Sequence, residues 1–449
     1  MPALLNKLLN FADGFDMLPD NGLVLVCVSG GADSMCLLSA LLEASQTRGF
    51  AVGAVHYNHR LRGGESDRDE EFVRDYCLSV SVPFYHGGGD VAAYAGENGL
   101  GIEEAARDMR YAFFYETAEK TGALRLATAH TADDNAETVI MNLARGAGAA
   151  GLSGIPPVRD IIVRPMLQIS RDTVMSFIEA RGIPYVHDSA NSLDIYTRNR
   201  VRHAVIPVLR ELNPRFIDAV SAAAALSRAD EEYLSEIADR FVCEHCAGRS
   251  ADLFELRKLP FAISGRVVRK LYGGNLSHWH VASILDMCGK DGPPASLSLP
   301  GMTVFREYGR VVFEERPSQD GFAPIYPADG ESVIISGTNL KMSCTLTVRD
   351  GTIYKPLTSF LFKCDDLCGK ITVRPRREGD SIRLLGTGCT KTLKKLFIER
   401  RIPHRRRALI PVVADDLGVL AVYGVGIGDR AIAEPGDTAL LIKFEDGFG

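Results

Sequence analysis

Val24-Leu25-Val26-Cys27-Val28-Ser29-Gly30-Gly31-Ala32-Asp33-Ser34 is the stretch on which the fold turns. Its first five residues are apolar and mostly β-branched, as in a strand buried on both faces. Ser29-Gly30-Gly31 then turns the chain, and Asp33-Ser34 opens a helix through Met35, Leu37, Leu38, Leu41 and Leu42. Consecutive glycines reach backbone angles closed to other residues and let a ligand sit directly on the main chain. Such a turn aims free N–H groups at an anion from a helix N-terminus, where the macrodipole adds to the attraction. Ser29 and Ser34 supply hydroxyls, and Asp33 is placed to hold a cation, magnesium, beside the anion. The lysine of a Walker loop is missing, and so is the G-x-G-x-x-G spacing.

The same texture continues through residues 1–212. Strands are expected at 22–28, 51–56, 82–86, 124–129 and 160–164, with amphipathic helices at 33–47, 66–80 and 101–121 between them. Short apolar strands separated by helices imply an α/β fold, a doubly wound parallel sheet with helices on both faces. Such sheets bind ligands beyond the C-terminal ends of their strands. Ser29–Ser34, His56–Arg62 and His130–Glu137 all follow strand ends, so three polar clusters are expected to form one site.

From Asn213-Pro214 the pattern becomes mainly helical, with a long alanine-rich stretch at Arg215–Cys243, then shorter helices around Ser264–Leu271 and His280–Met287. A hairpin signal follows around Tyr308-Gly309. Residues 213–316 read as a helical middle domain, Pro317–Gly330 as a linker, and 331–449 as a small α+β domain around one basic helix near Thr392–Glu399. From Ile371 to Arg407 twelve Lys or Arg stand against three Asp or Glu, on a chain whose net charge is −6. One positive segment on an acidic body points to a localised polyanion site.

No apolar run approaches the roughly 20 residues needed to cross a membrane, and Met1–Leu18 reads as a packing helix rather than a leader. Cys27, Cys36 and Cys77 fall inside expected elements as small hydrophobes. The Cys243/Cys246 and Cys364/Cys368 pairs lack partner pairs at zinc-finger spacing, so reduced thiols and a cytoplasmic location are expected.

Beyond the fourth strand, Asp133 and Asp134 fit the first turn of a helix, where negative charge is favoured. Asp134 and Glu137 are three apart and share a face, close to His130. Carboxylates beside a phosphate site ordinarily bind magnesium or a cationic substrate. Gly101–Tyr111 sets Arg107 and Arg110 on one helical face, and Arg198-Asn199-Arg200-Val201-Arg202-His203 packs three arginines and a histidine into six residues.

The glycine loop resembles the S-G-G-x-D-S loop of the N-type ATP pyrophosphatases, the PP-loop superfamily with its adenine nucleotide α-hydrolase-like fold, which cut ATP between its α and β phosphates. Further motifs follow in order: H-x-N-H-x-L-R from His56, G-I-E-E-x-A-R-x-x-R-Y from Gly101, H-x-A-D-D-x-A-E-T from His130, D-x-x-N from Asp188, and Y-x-R-N-R-V-R-H from Tyr196. With the helical middle and the basic C-terminal stretch (Arg374–Asp380, Lys394–Phe397), nearly the whole chain is similar to the tRNA(Ile)-lysidine synthetase family.

The resemblance implies a ligase that attaches L-lysine to C2 of the wobble cytidine of the CAU-anticodon isoleucine tRNA. ATP first adenylates the C2 oxygen and releases diphosphate, and the lysine ε-amine then displaces AMP. It implies nucleotide binding by Ser29, Gly30, Gly31, Ala32, Asp33, Ser34, His56 and Asn58. It also implies catalytic roles for Asp134, Glu137, His130, Arg107 and Arg202: the carboxylates hold the lysine, and the arginines stabilise phosphate charge. Thr131 and Asn135 stand where many members carry His and Gln, both neutral polar changes.

A sulfur-transferring tRNA enzyme of the same superfamily is the nearest alternative, but such enzymes use cysteines near the ATP site, and none lies between His130 and Arg202. A non-catalytic RNA-binding protein would not need the intact glycine loop. The oligomeric state is left open, with a homodimer among the expectations.

Overall fold

The computed structural model describes residues 3–60, 64–186, 197–315, 321–350 and 357–446. It divides into two compact units, Met1–Leu234 and Ser235–Gly449. Leu61, Arg62 and the stretch Asp188–Tyr196, which the sequence motifs include, lie outside the described residues.

The first unit is built on six strands: β1 (Gly22–Cys27), β2 (Phe50–Asn58), β3 (Phe84–Gly88), β4 (Ala123–Ala127), β5 (Val158–Arg159) and β6 (Ile162–Val163). They lie in the order β3-β2-β1-β4-β6-β5. Pairing is parallel from β3 through β6. The sheet departs from the expected all-parallel form at one edge, where β5 pairs antiparallel with β6 in a tight hairpin. Two-residue strands are too short to leave a period-2 pattern in the sequence.

Alternation along β1 shows why helices cover both faces. Val24, Val26 and Val28 join one core, with α1 (Ala3–Gly14), α2 (Ala32–Arg48) and α3 (Gly64–Ser79). Leu23, Leu25 and Cys27 face a second core, with Phe114 and Ala118 of α5 (Ile102–Thr121). The short helix α4 (Val91–Asn98) packs on α5 through Val91, Ala95 and Ala105. The expected packing helix is α1, whose Leu4, Leu5, Leu8, Leu9 and Phe11 are all buried. After β1 the chain winds outward through β2 and β3, then returns to place β4 on the other side of β1. That reversal opens a crevice above the C-terminal ends of β1 and β4.

In the second unit, helices Phe261–Tyr272 and His278–Gly289 precede strands Met302–Glu307 and Arg310–Glu315, which pair around Tyr308-Gly309 as expected. Both turn residues have positive φ, 49° and 80°, the geometry of a two-residue hairpin turn. The described part of the expected linker is docked rather than slack: Phe322 is buried, and Ile325 exchanges two backbone hydrogen bonds of 2.8 Å with Val373. Helix Leu393–Glu399 buries Leu393, Leu396 and Phe397 against Val412 and Val422, while Lys394, Lys395, Arg400 and Arg401 stay exposed.

Part of the C-terminal positive charge is turned inward or paired. Arg374 is buried on Asp380, at 2.7 and 2.9 Å. Arg407 is buried too, donating to Ile402 O and the Tyr308 hydroxyl. Arg383 and Lys391 pair with Asp429 and Glu399.

Candidate active site

The glycine turn is held from inside. Ser34 Oγ donates to Gly31 O at 2.9 Å and accepts from Ser29 N at 3.1 Å, and the two serine hydroxyls stand 3.2 Å apart. Gly30 has φ +89°, an angle that an L side chain resists. No side chain caps α2 at Gly31, so the leading N–H groups of the helix are available to an anion. His56 Nδ1 donates to Val28 O at 2.8 Å and pins the end of β1 to β2. Burial holds the His56 imidazole below its ordinary pKa, against the opposing pull of that bond.

Asp33 stands at the mouth of α2. Its Oδ1 is buried with no hydrogen-bond partner, and Oδ2 lies 3.6 Å from Arg171 Nη1. Burial pushes its pKa up to about 6, with Arg171 pulling the other way. A buried carboxylate oxygen without a donor suits a hard cation such as magnesium. Among the described residues no three His, Cys, Asp or Glu side chains cluster as a metal-ligand set, so Asp33 would share such an ion with phosphate oxygens and water.

The opposite wall is the N-terminus of α6 (Ala132–Ala144). Thr131 caps it: Thr131 N and Oγ1 donate to Asp134 Oδ2 at 2.8 and 3.0 Å, closing a capping box. The remaining carboxylate oxygens carry arginines. Arg198 donates to Glu137 Oε2 at 2.6 Å and to Asp134 Oδ1 at 2.8 Å. Arg202 donates to Glu137 Oε1 at 2.6 Å and Oε2 at 3.2 Å, and reaches Asp134 Oδ1 at 3.4 Å. Burial raises the Asp134 pKa, but Arg198, the Thr131 N–H and their neighbours outweigh it and leave the carboxyl below its ordinary value. Asp133 is structural: it accepts from Arg171 N at 2.8 Å and Arg210 Nη2 at 2.7 Å.

A cavity of about 660 Å³ lies between these walls. Ser29, Asp33, Ser34, His56, Asn58, Arg107, His130 and Asp134 all line it, so the structure gathers eight of the expected residues. Gly30, Gly31 and Ala32 supply backbone at the turn. Glu137 and Arg202 are not among the lining residues; they sit behind Asp134 and Arg198. The amide of Asn58 is spent inside the protein, donating to Asp67 Oδ1 at 2.9 Å and Glu70 Oε2 at 3.2 Å while accepting from Arg60 N at 2.9 Å. Asn58 therefore shapes the wall.

Arg107 and Arg110 flank the Tyr111 ring, with guanidinium carbons 4.9 and 5.5 Å from its centroid. His130 Nδ1 lies 3.0 Å from Thr128 Oγ1. Burial pushes its pKa down to about 4, Asp134 opposing and Arg164 adding to the fall, so the imidazole is neutral near pH 7.

Three further side chains around the cavity escape the sequence reading. Arg198 is singled out only as part of a basic run, yet it lines the cavity and ties its two carboxylates together. Arg171 reaches Asp33 from the start of helix Arg171–Arg181. Arg164 is 2% exposed, with Nη1 on Pro156 O at 2.6 Å, Nε unpartnered and a hydrogen bond to Tyr111. Its signal was available: an arginine directly after an apolar strand, at the same sheet edge as the other clusters. Cys27 also lines the cavity, where burial pushes its thiol up to about 12. A thiol held protonated is a poor sulfur carrier.

Residues 5–209 match the PP-loop domain family, and residues 371–444 match the family described as the TilS substrate C-terminal domain. The chain is 32% identical over 447 residues to the tRNA(Ile)-lysidine synthase of Geobacillus kaustophilus HTA426, covering 94% of this chain and 95% of that protein. It is 33% identical over 465 residues to the tRNA(Ile)-lysidine synthase of Geobacter sulfurreducens, covering 98% and 96%. The same-named protein of Caldanaerobacter subterraneus is 28% identical over 455 residues, covering 98% and 97%.

Proposed function

The chain belongs to the tRNA(Ile)-lysidine synthase family, and from that premise we propose that it uses ATP to join L-lysine to C2 of the wobble cytidine of a CAU-anticodon isoleucine tRNA, forming a carbon–nitrogen bond. The C2 oxygen attacks the α-phosphorus and diphosphate leaves. The lysine ε-amine then adds at C2, and AMP departs with the oxygen.

The uncapped start of α2, with Ser29 and Ser34, receives the phosphates. Asp33 would hold a magnesium ion there, which would neutralise charge on the departing diphosphate. Arg107, held over Tyr111 on the cavity wall, stabilises charge at the α-phosphate. Asp134 and Glu137 take the lysine side, one helical turn apart on α6. The lysine enters as an ammonium, so it loses one proton before it adds at C2 and a second after; neutral His130 on the cavity wall is at hand for one, and water takes the other. Arg202, bound to both oxygens of Glu137, orients that carboxylate. The exposed Lys394, Lys395, Arg400 and Arg401 serve a tRNA backbone contact far along the chain. Among the described residues no helix is long and apolar enough to cross a membrane, and we assign the reaction to the cytoplasm, where its tRNA is.

One observation carries the reading: an uncapped helix start with an unpartnered, buried Asp33 oxygen shares one cavity with Asp134 of the carboxylate pair. A nucleotide and a cationic amino acid therefore meet in a single space. The direct test is lysine incorporation into tRNA by the purified protein with ATP, with AMP and diphosphate measured in parallel; tRNA-dependent AMP without lysine incorporation would favour another adenylating modification.

A further inference from the structure

Asp134 and Glu137 have four carboxylate oxygens, and all are occupied. Asp134 Oδ2 is taken by Thr131 N and Oγ1, Asp134 Oδ1 by Arg198 and Arg202, Glu137 Oε2 by the same two arginines, and Glu137 Oε1 by Arg202. Two guanidiniums balance two carboxylates, and of the four oxygens only Glu137 Oε1 has fewer than two donors, which leaves no set of acceptors for a third cation. A lysine ammonium needs about three acceptors, so it enters this site only if one arginine leaves.

The two arginines are not equivalent. Arg202 makes three contacts to the pair, two of them to Glu137, and does not line the cavity. Arg198 lines the cavity, and its side chain is 39% exposed against 24% for Arg202. Removing Arg198 takes the 2.8 Å bond from Asp134 Oδ1, which lines the cavity, and the 2.6 Å bond from Glu137 Oε2 behind it, and leaves on them only the longer Arg202 contacts of 3.4 and 3.2 Å. A guanidinium that leaves two carboxylates gives up its charge-matched partners, and an anion in the same cavity would replace them. The cavity it lines is the one that the anion-binding turn also lines.

We infer that Arg198 is a resident stand-in for the lysine ammonium, and that a nucleotide triphosphate bound at the glycine turn draws it away and opens the lysine site. Lysine binding is then strengthened by ATP, and the free amino acid binds only weakly to an enzyme without nucleotide. The inference rests on the assignment of Asp134 and Glu137 to lysine. Arg198 acts here as a gate and takes no part in the bond-making steps.

The test is calorimetric titration of L-lysine into the full-length protein, alone and saturated with α,β-methylene ATP, which cannot be cut at the α–β position. Wild type is expected to bind lysine roughly tenfold to a hundredfold more tightly with the analogue, the range of one charge-assisted bond. Arg198→Gln is expected to bind lysine tightly in both states, so the nucleotide dependence collapses. Arg198→Ala should do the same, which excludes a new contact from the glutamine amide. Circular dichroism melts confirm that both variants are folded.

Asp134→Asn separates the two levels of the argument. If it binds lysine like wild type with the analogue present, the assignment of the carboxylates fails. If it loses lysine while Arg198→Gln keeps the wild-type nucleotide dependence, or binds lysine more weakly than wild type, the gate is wrong and the assignment stands.

Discussion

Arg198 Nε donates to Glu137 Oε2 across 2.6 Å, which ties a helical turn late in the first unit to a carboxylate only 1% exposed. A buried carboxylate survives only when its charge is matched and its oxygens are hydrogen-bonded, and Arg198 and Arg202 do both. Glu137→Ala leaves two guanidiniums half-paired. It should cost about 3 kcal/mol, the lower end for breaking a buried pair because both arginines retain some water. Denaturant unfolding measures this. A loss below about 0.5 kcal/mol would mean that the network contributes nothing to the fold.

Asp134→Asn keeps an oxygen for the Thr131 cap and removes the charge. The lysine KM is expected to rise by roughly tenfold to a hundredfold, since a charge-assisted hydrogen bond contributes about 1.5–3 kcal/mol. ATP binding should be nearly unchanged. An unaltered lysine KM with ATP binding lost would move this carboxylate to a metal-binding role.

Asp33→Ala should lower tRNA-dependent AMP release by roughly a hundredfold or more, the effect of deleting one oriented charge at a phosphate site. The same residue makes a pH prediction. Burial raises the Asp33 pKa from 3.8 to about 6, so the folded state holds this proton more tightly than the unfolded chain does. The carboxyl therefore costs no stability below pH 4, and costs progressively more as pH rises from about 4 to about 6. Asp33→Asn removes that cost. It should raise the thermal midpoint at pH 7.5, by at most about 3 kcal/mol of stability, and have little effect at pH 3.5. Equal shifts at both pH values would show that the ionised group is not strained in the free protein.

Lys394, Lys395, Arg400 and Arg401 stand exposed on or beside a helix whose other face is buried. Changing all four to Gln should weaken tRNA affinity and flatten its dependence on salt, by roughly 0.9 in log–log slope for each phosphate that is no longer neutralised. Arg374→Gln should act differently. Its guanidinium is locked to Asp380, so it should lower stability and leave the salt slope of the folded protein unchanged. A shared response of all five would show that Arg374 also meets the phosphates.

These contrasts mark what the chain revealed as sequence. The strand at Val24–Val28, the glycine turn and the helix after it were legible because each carries a local signal: β-branched apolar residues, adjacent glycines and a helical period. The clusters at Ser29, His56 and His130 were brought together correctly by one topological rule, that a parallel sheet collects the ends of its strands. The two-residue edge strand Val158–Arg159 left no pattern to find. Arg198 and Glu137 are 61 positions apart, and their pairing follows from how the helical turn folds back over α6, which no local spacing reports. The basic C-terminal count does not tell which of its charges are free, because Arg383 meets Asp429 and Arg407 meets the Tyr308 hydroxyl only in the folded chain.

ATP and lysine are spent together on a tRNA in this cavity. The most direct measurement incubates the purified protein with ATP, radiolabelled L-lysine and an unmodified CAU-anticodon isoleucine tRNA transcript, and counts acid-precipitable label against AMP. One lysine incorporated and one AMP released per modified tRNA is expected, with no incorporation when the wobble cytidine is replaced by uridine. Label that appears without ATP, or AMP release that proceeds unchanged without lysine and leaves the tRNA unlysylated when lysine is supplied, would contradict it.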